Sequence, residues 1–251
     1  MARTGWTQAR SGFARAGDGR AHAADRDRGF FLIMAIAIVV TVVAGFTLQL
    51  AAGRSSFGAP WWVHVHGVSF MIWLGLYLAQ SLLAGRGRMM LHRRLGWFAT
   101  FYVGWMVAVG IGATALSVAT HRVPPFFAPN VFLVMDWLTV LVFAGLTWAG
   151  VRMRRRTDWH RRLMLCGAIE VMTPGAGRLL PLPLLGDWII WTIWAIMLAY
   201  GAVAMAHDLI TRGKVHPAYL WGFGTITLAT ALMRPLAFTP PVLALTGMLA
   251  G

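Results

Sequence analysis

The sequence predicts an all-α integral membrane protein, a bundle of seven transmembrane helices. Three observations carry this expectation: long apolar runs, basic residues gathered on one side, and connections too short to hold a soluble domain. The runs cover residues 30–50, 62–84, 96–119, 131–151, 163–180, 188–206 and 218–233. Crossing the hydrocarbon takes roughly 20 apolar residues in an α-helix, because each adds only ~1.5 Å. Five runs meet that length, and the fifth and seventh are short or interrupted.

Assigning the connections alternately to two sides puts 18 of the 22 Lys and Arg residues on one of them. Six Arg lie in 3–28, four in 86–94 and six in 152–162, with Arg212 and Lys214 beside them. The other side holds Arg54, Arg122, Arg178 and Arg234. Lys and Arg mark the cytoplasmic side, so the N-terminus is expected inside a bacterial inner membrane and the C-terminus outside. Aromatic anchors agree, with Trp61, Trp62, Trp188 and Trp191 at the outer interface and Trp97, Trp159 and Trp221 at the inner one.

Residues 1–28 are rich in Arg, Ala and Gly without apolar periodicity, and read as a disordered basic cytoplasmic extension. Residues 29–238 form the bundle and 239–251 a short C-terminal tail. The first run is longer than the ~7–15 apolar residues of a signal core, so it reads as a retained span. The formal charge of +14 sits beside membrane ends, where it serves topology and anionic lipid rather than nucleic acid. Membrane lipids, and other subunits of a membrane complex, are the expected partners. The single cysteine, Cys166, excludes an internal disulfide and a cysteine-based metal cluster within the chain.

Two basic loops match at a constant offset. His92-Arg93-Arg94-Leu95 aligns with His160-Arg161-Arg162-Leu163, and Arg86 and Arg88 with Arg154 and Arg156. Both blocks close a loop and open a helix in the same direction, which suggests a parallel repeat of helical hairpins; the pressure for basic loops alone accounts for part of the match. These blocks, with Arg178-Leu179 and the upstream pattern His66, Trp73, Gln80, resemble a family of uncharacterised bacterial multi-pass membrane proteins. The resemblance covers roughly residues 60–180. It implies a helical bundle and supplies no established catalytic residue.

At ~100° per residue, His66, Ser69, Trp73, Tyr77 and Gln80 share one stripe of the second span. A polar, aromatic stripe in lipid turns toward the bundle interior. His64 lies two residues before His66 and so points nearly opposite, which breaks the His-x-His metal motif on a helix. His121 and Asp136 belong near the same surface as His66. Imidazoles there could ligate haem b or copper, with Asp136 as a metal-site carboxylate and Trp73, Tyr77 and Gln80 lining a cofactor or quinone. A buried structural histidine and a solvated loop histidine explain the same residues. On the third span, Gly104, Ala108, Gly112, Ala115 and Ala119 form a small-residue side that lets helices approach closely.

Glu170 is the one acidic residue deep in a run. It reads as a proton carrier, as the partner of a cation, or as a protonated hydrogen-bond donor. Pro174, Gly175 and Gly177 predict a break that would bring Arg178 within reach. No hydrolase or nucleotide-binding signature is present. The functional expectations are, in order, a non-catalytic accessory or assembly subunit, a redox protein using His66 and His121, and a proton-coupled transporter using Glu170.

Overall fold

The computed structural model describes residues 5–55 and 57–251, with side chains from Asp27 onward. Its helices are α1 (Gly5–Ala51), α2 (Trp61–Gly85), α3 (Met89–Ala119), α4 (Pro129–Arg152), α5 (Thr157–Val171), α6 (Thr173–Gly177), α7 (Leu182–Leu185), α8 (Ile189–Arg212), α9 (Pro217–Ala237) and α10 (Pro240–Ala250), and no strand occurs among the described residues. Prolines open α4, α9 and α10, where a missing N–H and a fixed φ suit the first turn. Side chains of most of the N-terminal extension, 1–26, lie outside the described residues; its backbone from Gly5 continues α1.

Among the described residues, five stretches are long and apolar enough to cross a membrane: Asp27–Ala51, Trp61–Gly85, Met89–Ala119, Pro129–Arg152 and Leu182–Arg212. A sixth passes only when α9 and α10 are taken together across a 69° bend. The fifth apolar run is interrupted where Pro174, Gly175 and Gly177 predict a break, and it does not qualify as a span. It divides into α5 and α6, because Pro174 has no N–H to donate to the carbonyl of Glu170 four residues back. Met172 O accepts the N–H groups of both Gly175 and Ala176 at 3.0 Å, closing the break.

α5 is enclosed by protein. Every residue from Leu165 to Val171 is buried, and the helix packs against α1, α4, α8 and α9. A helix covered all round need not be apolar all round, which is why this one tolerates Arg162 and Glu170. Near the far end the backbones themselves touch. A Cβ on Gly45 of α1 would lie 2.1 Å from the carbonyl oxygen of Gly175, and one on Gly175 would lie 2.6 Å from Cα of Val42. Two further crossings are as tight: Gly201 against the Phe223 ring and Gly222 against Cys166.

The small-residue side of α3 packs differently from expectation. The buried residues of α3 are Val103, Met106, Gly110, Thr114 and Val118. Gly104, Ala108 and Ala119 are exposed, Gly112 and Ala115 are half-buried, and a Cβ on Gly104 or Gly112 would meet nothing within 4 Å. Within the chain, close approach to α4 runs through Gly110, where a Cβ would meet Val140 at 3.2 Å. The expected tail also proves to be α10, folded back onto α3 and α4.

Candidate functional site

The arginine-rich end holds a continuous ion-pair network across four segments. Arg162 of α5 and Asp208 of α8 are both 0% exposed and pair side on. Nε of Arg162 donates to Oδ2 of Asp208 at 2.8 Å, Nη2 donates to Oδ1, and Nη1 donates to the Asp158 carbonyl at 3.0 Å. Asp208 also accepts the backbone N–H of His216 at 3.2 Å. Arg212 reaches both Asp208 and Asp27, and Arg161 donates to Asp27 at 2.6 Å. The guanidinium groups of Arg161 and Arg162 lie 5.1 and 5.8 Å from the Phe31 ring centre, and that of Arg162 lies 5.6 Å from Tyr219. A planar fork suits this work: it pairs in two places and still stacks on rings.

His216 adds a second link. Its Nδ1 accepts the N–H of Ala218 at 3.1 Å, so in the neutral ring Nε2 carries the proton, 3.0 Å from Oδ2 of Asp158. Burial alone would raise the Asp158 pKa; the hydrogen bonds from His216 and from backbone N–H groups outweigh it and hold the carboxyl below its ordinary value.

The repeated histidines meet at this same end. Nδ1 of His92 lies 3.3 Å from the Gln80 carbonyl, and Nδ1 of His160 lies 2.8 Å from the Gly150 carbonyl. The ring centroids are 6.3 Å apart and the planes nearly perpendicular, at 86°. Arg93 and Arg94, their neighbours in the first block, are exposed and join no ion pair among the described residues. The two loops thus share one local device: a histidine at the start of a helix tied to a carbonyl near the end of the helix before it.

The second-span stripe faces protein. Ser69, Trp73 and Tyr77 are buried, whereas Ile72 is 46% exposed. Leu78, off the stripe, is also partly buried against the core. Trp73 stacks on Tyr77 and meets Phe143 edge-on, and Ser69 Oγ accepts the Trp105 indole N–H at 2.9 Å. Gln80 is half-buried with Oε1 unpartnered among the described residues. His66 stacks on Phe70 and its Nδ1 has no partner there either, while His64 turns away to the Phe57 carbonyl at 3.1 Å, as helical geometry requires.

The remaining residues of that end stay apart. His121 is exposed in a left-handed turn at φ 53°. Asp136 accepts a hydrogen bond from Thr114 Oγ1 at 3.2 Å. Arg178 donates to the Pro174 carbonyl at 2.7 Å and stands 4.1 Å over Phe46. Among the described residues no group of three or more His, Cys, Asp and Glu is placed to hold a metal ion. Glu170 is 1% exposed; its Oε2 has no partner and it forms no ion pair with Arg178 among the described residues.

Sequence reasoning did not single out Asp27 or Asp208, counted Arg212 only as a basic loop residue, and gave Asp158 and His216 no role in a site. The signal was their scarcity: only eight acidic residues face 22 basic ones, so any buried arginine constrains where an acid must stand. No family model, curated protein sequence or solved structure matches the chain.

Proposed function

We infer that the chain is a multi-pass inner-membrane protein acting as a non-catalytic accessory or assembly subunit of a membrane complex. The observation that carries this reading is the open seam on α3. Small residues gather where membrane helices approach closely, and here Gly104 and Ala108 face outward with nothing of this chain over Gly104. Phe101, 76% exposed, and Trp105, 50% exposed, stand beside them as apolar rims. A transmembrane helix of another subunit is the occupant that fits such a seam. The tight glycine crossings support a rigid scaffold rather than a bundle that rocks around a substrate.

The test is the size of the assembly in its native membrane after mild solubilisation. Wild type is expected to migrate well above a 27.5 kDa chain with a second protein in fixed ratio, and Gly104→Leu or Ala108→Leu to release it. Exposed Val203→Leu on α8 serves as the control. A single chain in lipid, unchanged by the seam substitutions, contradicts the reading.

The arginine-rich end is assigned to the cytoplasm, with the N-terminus inside and the C-terminus outside. α5 and α6 complete a seventh passage, shielded by protein. Arg161 meets Asp27 at the start of the apolar stretch of α1 and Gly175 meets Gly45 near its other end, 18 residues or ~27 Å along the helix. Reporter fusions near Ser55, Gly87 and Arg155 are expected to read outside, inside and inside. An inside signal near Ser55 contradicts this orientation.

A further inference from the structure

We propose that His92 and His160 are a two-imidazole ligand pair for a metal centre that needs only two protein nitrogens, a cuprous ion or a haem iron. A carbonyl oxygen only accepts, so the contacts to the Gln80 and Gly150 carbonyls fix the proton on Nδ1 of both histidines. The lone pair is therefore on Nε2 in each neutral ring. The hydrogen bonds of both rings among the described residues run through Nδ1. An Nδ1–H held by a backbone carbonyl is the outer-shell contact that fixes the tautomer of a metal-ligating histidine and raises its basicity.

Spacing agrees with that assignment. Metal–imidazole bonds are about 2.0 Å, so two imidazoles on opposite sides of one metal put their centroids roughly 6 Å apart. The observed separation is 6.3 Å.

The class of metal follows from what surrounds the pair. No third His, Cys, Asp or Glu among the described residues joins it. A structural Zn²⁺ asks for four such ligands. The end is also crowded with arginine, which disfavours a bare divalent ion. A cuprous ion accepts two nitrogens and brings a single charge; a haem iron takes its other four ligands from the porphyrin, and its propionates would suit the arginines. Both would staple the α2–α3 hairpin to the α4–α5 hairpin. The proposal concerns a different surface from the α3 seam and stands independently of it.

The test uses the full-length protein in detergent, purified without metal. One arm titrates cuprous ion against a chromogenic chelator under anaerobic conditions, and the other titrates hemin and follows the visible spectrum. One equivalent of cuprous ion, or a Soret band of six-coordinate low-spin haem, is expected, and the responding arm names the metal. His92→Asn and His160→Asn retain a donor for the carbonyl and remove the ligand nitrogen. Each is expected to keep the elution profile and helical spectrum of wild type and to weaken binding at least 100-fold. His66→Ala is expected to bind as wild type does. No uptake in either arm, or uptake unchanged in both Asn variants, overturns the proposal, as does loss of binding in His66→Ala alone.

Discussion

The two ends of the apolar stretch of α1, Asp27–Ala51, are fastened by opposite means. At one end Asp27 takes two arginines from α5 and α8. At the other, Gly45 lies against the backbone of Gly175 with no side chain between them. The first end is a charge network that works because every buried ion in it has a partner. The second is steric, and works because nothing is there to interfere. The buried ion pairs and the paired histidines therefore collect at the arginine-rich end, while the opposite end keeps an exposed Arg234–Asp187 pair and leaves His66, His121 and Asp136 apart.

The largest expected effect breaks the charge network. Asp208→Ala leaves Arg162 buried and unpaired and should cost about 3–5 kcal/mol, read as a fall in unfolding midpoint in detergent or as failure to fold. Asp136→Ala, at the other end, removes one hydrogen bond from Thr114 and should cost only ~1 kcal/mol. Equal losses would erase the distinction between the ends. Next comes the steric fastening. Gly45→Ala drives a methyl into a carbonyl oxygen and should cost ~1–3 kcal/mol by overpacking. Gly104→Ala, facing open space, should be neutral or stabilise by up to ~1 kcal/mol through helix propensity. The same measurement reads both.

The smallest effect is with pH. The folded pKa of Asp158 is lowered, so its contribution is fully present above the unfolded value of ~3.9 and is lost as pH falls through the folded one. Unfolding midpoints measured from pH 6 to pH 3 should fall faster for wild type than for Asp158→Asn below pH ~4. Parallel curves would show that the His216 contact contributes nothing.

How much of this was legible in the sequence depended on whether a feature was local. Apolar runs and the stripe of α2 are periodic within one helix, so the buried positions of Ser69, Trp73 and Tyr77 could be read directly. The fifth run was harder. Its length argues for a span, but enclosure by four helices comes from the rest of the fold, and only Pro174 hinted at the break. The side of α3 was misjudged because small residues mark where a helix could approach, not which helix of the same chain does. The Arg162–Asp208 pair joins residues 46 positions apart; the basic block was visible, its acids were not. The His92–His160 meeting was half visible: the repeat placed both histidines alike, but not within 6.3 Å.

Whether histidine chemistry belongs to the arginine-rich end is decided by one paired measurement. Metal and haem content would be determined for full-length protein expressed with both supplied, in wild type, in the double variant His92→Asn/His160→Asn, and in the double variant His66→Asn/His121→Asn. The account predicts bound metal or haem in wild type and in the His66/His121 variant, and loss in the His92/His160 variant. Retention in the His92/His160 variant with loss in the other would place the chemistry at the opposite end and contradict the account.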